Sequence, residues 1–192
     1  MRATHYTYAA IPDSVKLKIS DLQENLLADD IGFSKLGYFK INSSYLHLTI
    51  GVFELADDSK VSSMQDDELK NFAEDILNRV MKNMSPPHFD IVLKGIKCFN
   101  DGNVIFIEVE KSNALQRIRD NIIAEFEKKD IYLADERFNP HLTIFKMPRG
   151  RQCCDISEVR KALSKVSVPK FEKIKVDELY FSAIKGKRNK KT

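Results

Sequence analysis

Apolar residues along this 192-residue chain fall into short runs whose spacing switches between two periods. Residues 4 to 11, Thr-His-Tyr-Thr-Tyr-Ala-Ala-Ile, join aromatic, small and β-branched residues and close at Pro12, which predicts a strand. Val15, Ile19, Leu22 and Leu26 then recur at spacings of four, three and four, the stripe of a helix entered through Pro12-Asp13-Ser14. A loop holding Gly32 and Gly37 leads to an apolar strand from Tyr45 to Phe53, and Leu69, Phe72, Ile76 and Val80 mark a second helix. The run His-Phe-Asp-Ile-Val-Leu-Lys-Gly-Ile from His88 reads as a strand after Pro86-Pro87.

The pattern then starts again. Asn100-Asp101-Gly102-Asn103 is a turn signal, and Val104 opens the strand Val-Ile-Phe-Ile-Glu-Val-Glu. Ser112 can cap a helix with the stripe Leu115, Ile118, Ile122 and Phe126. A strand from Phe138 to Met147 follows, then a shorter helix capped by Asp155 with Ile156, Val159 and Leu163, and a closing strand within Phe171 to Ile184. Each half reads strand, helix, strand, helix, strand, an α/β order. Two such lobes, each sheet backed by its own helices on one side, would meet by their open sheet faces across a cleft.

One detail gives that cleft a content. His-Leu-Thr-Ile occurs at His47 to Ile50 and again at His141 to Ile144, at the same rank in the two halves, in a chain with only four histidines. Side chains alternate along a strand, so His47 and Thr49 share one face while Leu46, Leu48 and Ile50 take the other. His141 and Thr143 likewise oppose Leu142 and Ile144. A lone histidine on a strand is more often a satisfied structural residue than a catalyst. Two matched ones can divide the work, one neutral and accepting a proton while the other is cationic and donates one, each transfer contributing ~10²–10⁴-fold. The threonine hydroxyls can hold phosphoryl oxygens between them. That division suits cleavage of a P–O bond without metal.

Other chemistries find less support. There is no HExxH, no Cys/His ligand cluster, no EF-hand loop, no P-loop and no G-x-G-x-x-G. Gly32-Phe-Ser34-Lys-Leu-Gly37 breaks the spacing of a nucleophile elbow. No cofactor is expected, and a metal held by the two histidines would need further ligands that the sequence does not identify. With seven glycines in all, phosphate binding falls to side chains.

Composition sets the setting. A content of 43% hydrophobic and 31% charged residues is that of an ordinary globular chain. A net charge of +3 is too small for a dedicated nucleic-acid binder. Much of it lies in Lys185, Lys187, Arg188, Lys190 and Lys191, a tail that can contact RNA, form part of a nuclear signal or stay solvated. Cys98, Cys153 and Cys154 form no even disulfide framework, which points to a reducing compartment. No signal peptide or ~20-residue apolar span is evident. The expectation is an intracellular, cytoplasmic or nuclear monomer with no membrane contact.

These residues resemble the two-histidine (2H) phosphoesterase superfamily, defined by paired H-x-[ST]-x motifs on strands of a bilobal α/β fold. The resemblance spans nearly the whole chain, from Tyr-Thr-Tyr-Ala-Ala-Ile-Pro at Tyr6 to Lys-Val-Asp-Glu-Leu-Tyr-Phe-Ser-Ala-Ile-Lys-Gly ending at Gly186. Arg-Phe-Asn-Pro-His-Leu-Thr-Ile-Phe-Lys-Met from Arg137 is similar to the phosphoesterase-like (2′,5′ RNA ligase-like) domain of the gamma and delta A-kinase anchoring proteins. It is also similar to the related domain of the activating signal cointegrator complex subunit. The resemblance implies an α+β fold with two pseudo-symmetric, antiparallel-rich sheets, helices on the outer faces and a central cleft. It implies one bilobal domain over 1–184, its lobes intertwined in sequence, followed by the basic tail 185–192. His47 and His141 take the acid/base roles, and Thr49 and Thr143 bind phosphate.

The implied activity is a metal-independent nucleotide 2′,5′- or cyclic phosphodiesterase. A non-catalytic nucleotide- or RNA-binding module is the alternative. No amphipathic kinase-anchoring helix is evident after the closing strand, and there is no room for a KH module before Tyr6. For base or phosphate contacts, strand parity nominates Phe53 and Phe145, and position nominates Tyr8, Lys146, Arg149 and Arg151. Core packing is the alternative for the aromatics, and a solvated loop for the cations.

Overall fold

The protein is described by a computed structural model covering residues 4–28, 33, 35–57, 59–99, 101–148, 150–151, 155–166 and 169–184. Gly32, Ser34, Asn100, Arg149, Cys153, Cys154 and the basic tail lie outside the described residues. Strands β1 (His5–Ala10), β3 (His47–Leu55), β7 (Ile131–Leu133) and β10 (Tyr180–Ala183) form one antiparallel sheet in the order β10-β1-β3-β7. A second antiparallel sheet has the order β2-β8-β6-β5, built from β2 (Phe39–Lys40), β5 (Leu93–Cys98), β6 (Val104–Val109) and β8 (His141–Lys146). Strands β4 (Phe89–Ile91) and β9 (Ile174–Val176) pair separately.

Among the described residues the α-helices α1 (Asp13–Ala28), α2 (Asp66–Lys82), α3 (Asn113–Glu127) and α4 (Ile156–Leu163) supply the other layers. Their starts follow from capping chemistry. The Ser112 hydroxyl accepts from the Leu115 amide at 3.1 Å, and Asp155 accepts from the amides of Ser157 and Glu158 at 2.7 and 3.2 Å. In α2, Asp66, Asp67 and Glu68 occupy the first turn and Arg79 and Lys82 the last, each sign at its favourable pole of the helix dipole.

The sheets do not correspond to the halves of the chain, and each helix does not simply cover the sheet of its own half. Gln23 of α1 donates to the carbonyls of Ile41 and Ile144 at 2.9 and 2.7 Å, which fastens this first-half helix to the β2-β8 edge. Phe126 of α3 meets Phe53 of β3 and Phe181 of β10 edge to face at 4.9 and 5.7 Å, so a second-half helix closes the first sheet. A helical stripe states that a partner exists; several apolar sheet faces satisfy it equally. The run from His88 divides at Val92, β4 pairing with β9 and β5 with β6, and the closing segment likewise divides into β9 and β10. The short strands β2 and β7 carry no period of their own and were not expected.

One backbone feature recurs in both lobes and decides what faces the cleft. Thr7 pairs with Gly51 and Tyr8 with Thr49, which leaves Ile50 as an extra residue. Ile105 pairs with Phe145 and Phe106 with Thr143, which leaves Ile144 as an extra residue. Both His-Leu-Thr-Ile strands therefore bulge directly after the threonine, and alternation inverts beyond that point. Leu48, Ile50, Gly51 and Phe53 are all buried in β3, as are Leu142, Ile144 and Phe145 in β8. The side chains of His47 and Thr49, and of His141 and Thr143, lie on the face away from this core.

Candidate active site

His47 and His141 open β3 and β8, strands that touch across the boundary between the sheets. Each imidazole is tied by Nδ1 to the carbonyl two residues before it, His47 to Tyr45 at 2.7 Å and His141 to Asn139 at 2.6 Å. A carbonyl only accepts, so Nδ1 carries the proton and Nε2 of the neutral ring carries the lone pair. The two bonds are the same in form, so in each ring Nε2 is the atom left to take up or release a proton.

Aromatic rings pack each histidine from matched positions. His47 lies 5.3 Å from the rings of both Tyr6 and Tyr8. His141 lies 5.0 Å from Phe99 and 5.2 Å from Phe106, edge to face. Tyr8 and Phe106 are the residues opposite Thr49 and Thr143 across their ladders, so they occupy equivalent places in the two lobes. Burial among these rings pushes both histidines below their ordinary value. The Nδ1 bonds oppose that shift, and the ammonium of Lys146 adds to it at both sites; His47 is lowered further by the charge of His141. Both shifts favour the neutral imidazole over the cation. The division into one neutral and one cationic imidazole expected from the sequence therefore needs a nearby negative charge to favour the cation at one of them.

The four motif residues converge on one cavity of ≈ 500 Å³. His47, Thr49, His141 and Thr143 line it together with Lys146, the second residue after the β8 bulge. Its outer wall comes from residues that sequence reasoning passed over: Phe39, 47% exposed, and Tyr45, 69% exposed. Tyr45 had a usable signal, because it sits two residues before His47 on the same parity. Asn42 stiffens this wall, its Oδ1 accepting from the amide and the hydroxyl of Ser44 at 2.9 Å each, which caps the 3₁₀ turn Ser43–Tyr45. Phe39 lies in a two-residue strand and gave no periodic cue.

The remaining nominated residues divide. Tyr8 lies against His47, half-buried, stacked also on Tyr180 at 5.4 Å. Phe53 and Phe145 are corrected by the structure: they are 1% and 0% exposed, and their rings pack on Phe126 and on Phe33 inside the two lobes. The bulges account for this, since one extra residue turns Phe53 and Phe145 away from the cleft. Burying each ring gains about 1.5–3 kcal/mol that an exposed platform would forgo. Arg151 is exposed and close to Gly37, outside the cavity lining; Arg149 is outside the described residues. Cys98 is a half-buried free thiol. Among the described residues no three His, Cys, Asp or Glu side chains converge as a metal site, and no helix is long and apolar enough to cross a membrane.

Comparison with known proteins places these features in a family. The profile of the AKAP7 2′5′ RNA ligase-like domain matches residues 9–192. Among solved structures, E. coli LigT complexed with 3′-AMP superposes with a TM-score of 0.58 at 13% identity, covering 94% of this chain and 87% of LigT. The MHV ns2 PDE domain gives 0.59 at 14% identity, covering 95% and 99%. TT0787 of Thermus thermophilus gives 0.55 at 16% identity, covering 93% and 84%. No curated protein matches the chain significantly.

Proposed function

Because the chain belongs to the AKAP7 2′5′ RNA ligase-like domain family, within the 2H phosphoesterase superfamily of α+β phosphoesterases, we propose that it is a metal-independent phosphodiesterase of nucleotides. Its substrates are 2′,5′-oligoadenylate, a cyclic nucleotide or a 2′,3′-cyclic phosphate. The observation that carries this reading is the matched pair of imidazoles, each with Nδ1 fixed to a carbonyl and Nε2 left to act in a cavity that also holds two threonine hydroxyls. The 3′-AMP held by E. coli LigT supports a nucleotide as the ligand.

A phosphodiester anion entering the cavity brings a negative charge beside both imidazoles and so favours protonation of one of them. The protonated ring becomes the acid and its partner stays the base. The base Nε2 takes the proton of the attacking hydroxyl or water as the new P–O bond forms. The acid Nε2 delivers its proton to the leaving oxygen as the old bond breaks. Thr49 and Thr143 donate to the non-bridging oxygens, and Lys146 offsets charge gathering there. Tyr45 and Phe39, exposed on the outer wall, offer faces for a base.

The test is hydrolysis of a panel of 2′,5′-, 3′,5′- and 2′,3′-cyclic substrates, with products separated by chromatography. His47→Ala and His141→Ala should each lower kcat by about 10²–10⁴-fold while circular dichroism is unchanged, and EDTA should have no effect. Full activity in either variant refutes the assignment. Tight binding of AMP without turnover of any substrate identifies a binding module instead.

A further inference from the structure

Past His141 the cleft continues into a second cavity of ≈ 420 Å³, which shares Thr49 and His141 with the first and is also lined by Arg119, Arg137 and Phe138. Arg119 lies on the inner stripe of α3 and is only 6% exposed. Among the described residues no carboxylate pairs with it. Its Nη2 donates to the carbonyls of Asp135 and Glu136 at 3.3 and 3.1 Å, its guanidinium lies 4.9 Å from the Phe138 ring centre, and its Nε has no partner. Two carbonyl dipoles and a ring face offset part of the cost of burying a full charge, and the rest persists as a positive field in the adjoining cavity.

Arg137 brings a second guanidinium to the same wall. It grips Asp135 with two parallel bonds, Nε to Oδ1 and Nη2 to Oδ2, both 3.0 Å. That fork is the main partner of Asp135, whose charge Arg119 also feels without pairing to it, so two guanidiniums share one carboxylate. The charged residues lining the cavity are thus two cations and one anion. A phosphate oxyanion entering here meets net positive charge, from buried Arg119 on the inner side and solvent-exposed Arg137 on the rim.

We propose that this cavity is a second anion subsite, and that it takes the phosphate next to the one being cleaved. The identity of that ligand rests on the phosphodiesterase reading above. The substrate it favours carries at least two phosphates along a strand, an oligonucleotide or an end-phosphorylated dinucleotide, over a bare dinucleoside monophosphate or a cyclic mononucleotide. Phe99 and Phe138, half-buried on the same cavity wall, supply aromatic surface for the intervening base.

The subsite is tested by calorimetry on the His47→Ala/His141→Ala protein, which cannot turn substrate over. The ligands are 2′,5′-linked diadenosine monophosphate with and without an added terminal phosphate at either end. One of the added phosphates should tighten binding about tenfold, the return expected of a charge-assisted contact. Arg119→Gln or the rim variant Arg137→Gln should bring that ratio towards one, whereas Arg119→Lys retains part of it. An equal affinity for all three ligands, or a phosphate preference indifferent to both arginines, overturns the subsite. If the arginine-dependent preference holds but the unmodified protein cleaves none of these ligands, the subsite stands and the catalytic reading fails.

Discussion

Gly51 sits in the β3 bulge with the Phe53 ring folded over it, and a single methyl group there tests the arrangement that orients the cleft. A Cβ built at Gly51 lies 2.7 Å from both Cε2 and Cζ of Phe53 and 3.6 Å from Cδ1 of Leu133. Favourable carbon contacts lie at about 3.5–4.0 Å, so the overlap with the ring is about 0.8 Å at two atoms. Phe53 has little freedom to yield, since it is 1% exposed and wedged against Phe126 at 4.9 Å. Overpacking of this kind costs about 1–3 kcal/mol. For a chain of this size each kcal/mol moves Tm by about 2–4 °C, so Gly51→Ala should melt about 2–12 °C lower. Denaturant unfolding of Gly51→Ala, Phe53→Leu and the double variant apportions the effect. Leucine at 53 removes the ring that the methyl strikes, so the double variant should be more stable than the sum of the single losses by about 1 kcal/mol or more. Because the bulge also sets where Thr49 points, kcat/KM should fall with Gly51→Ala and recover in part in the double variant. A Gly51→Ala protein as stable as the parent, or strict additivity, would refute the claim that this bulge is closed by the Phe53 ring.

Two further expectations follow from the histidines. The pH profile of kcat/KM reports the free protein, and with both imidazoles held below 6.5 by burial and by Lys146 its optimum should lie below pH 6.5. Lys146→Gln should move both limbs upward; an optimum above pH 7.5 in the parent would contradict the depressed values. His5, His47 and His141 are all lowered chiefly by burial, so the unfolded chain binds more protons as the solution is acidified. Their contribution to stability is complete above pH 6.5 and is lost as pH falls through their folded values, a decline that urea midpoints measured from pH 7.5 to 5 should register.

Much of the site was legible in the letters. The period of the helices, the caps at Ser112 and Asp155 and the shared face of His47 with Thr49 all depend on neighbours within four residues, and the structure has each of them. Arg119 also left a mark, a cation four residues after Leu115 and three before Ile122 on an otherwise apolar stripe. Phe53 and Phe145 show where local reasoning stops. Period-2 parity holds only while the ladder gains no residue, and the extra Ile50 and Ile144 are properties of pairing with β1 and β6.

By itself, then, the sequence determined which side chains could do chemistry and which element each would ride on, because those are short-range consequences of alternation, capping and residue type. Tertiary structure alone decided that α1 fastens to the β2-β8 edge and α3 closes the first sheet, that Lys146 and Tyr45 meet at one cavity, and that burial lowers the pKa of both imidazoles. Those outcomes depend on which surfaces meet and how much water they exclude, and residues far apart in the chain settle both.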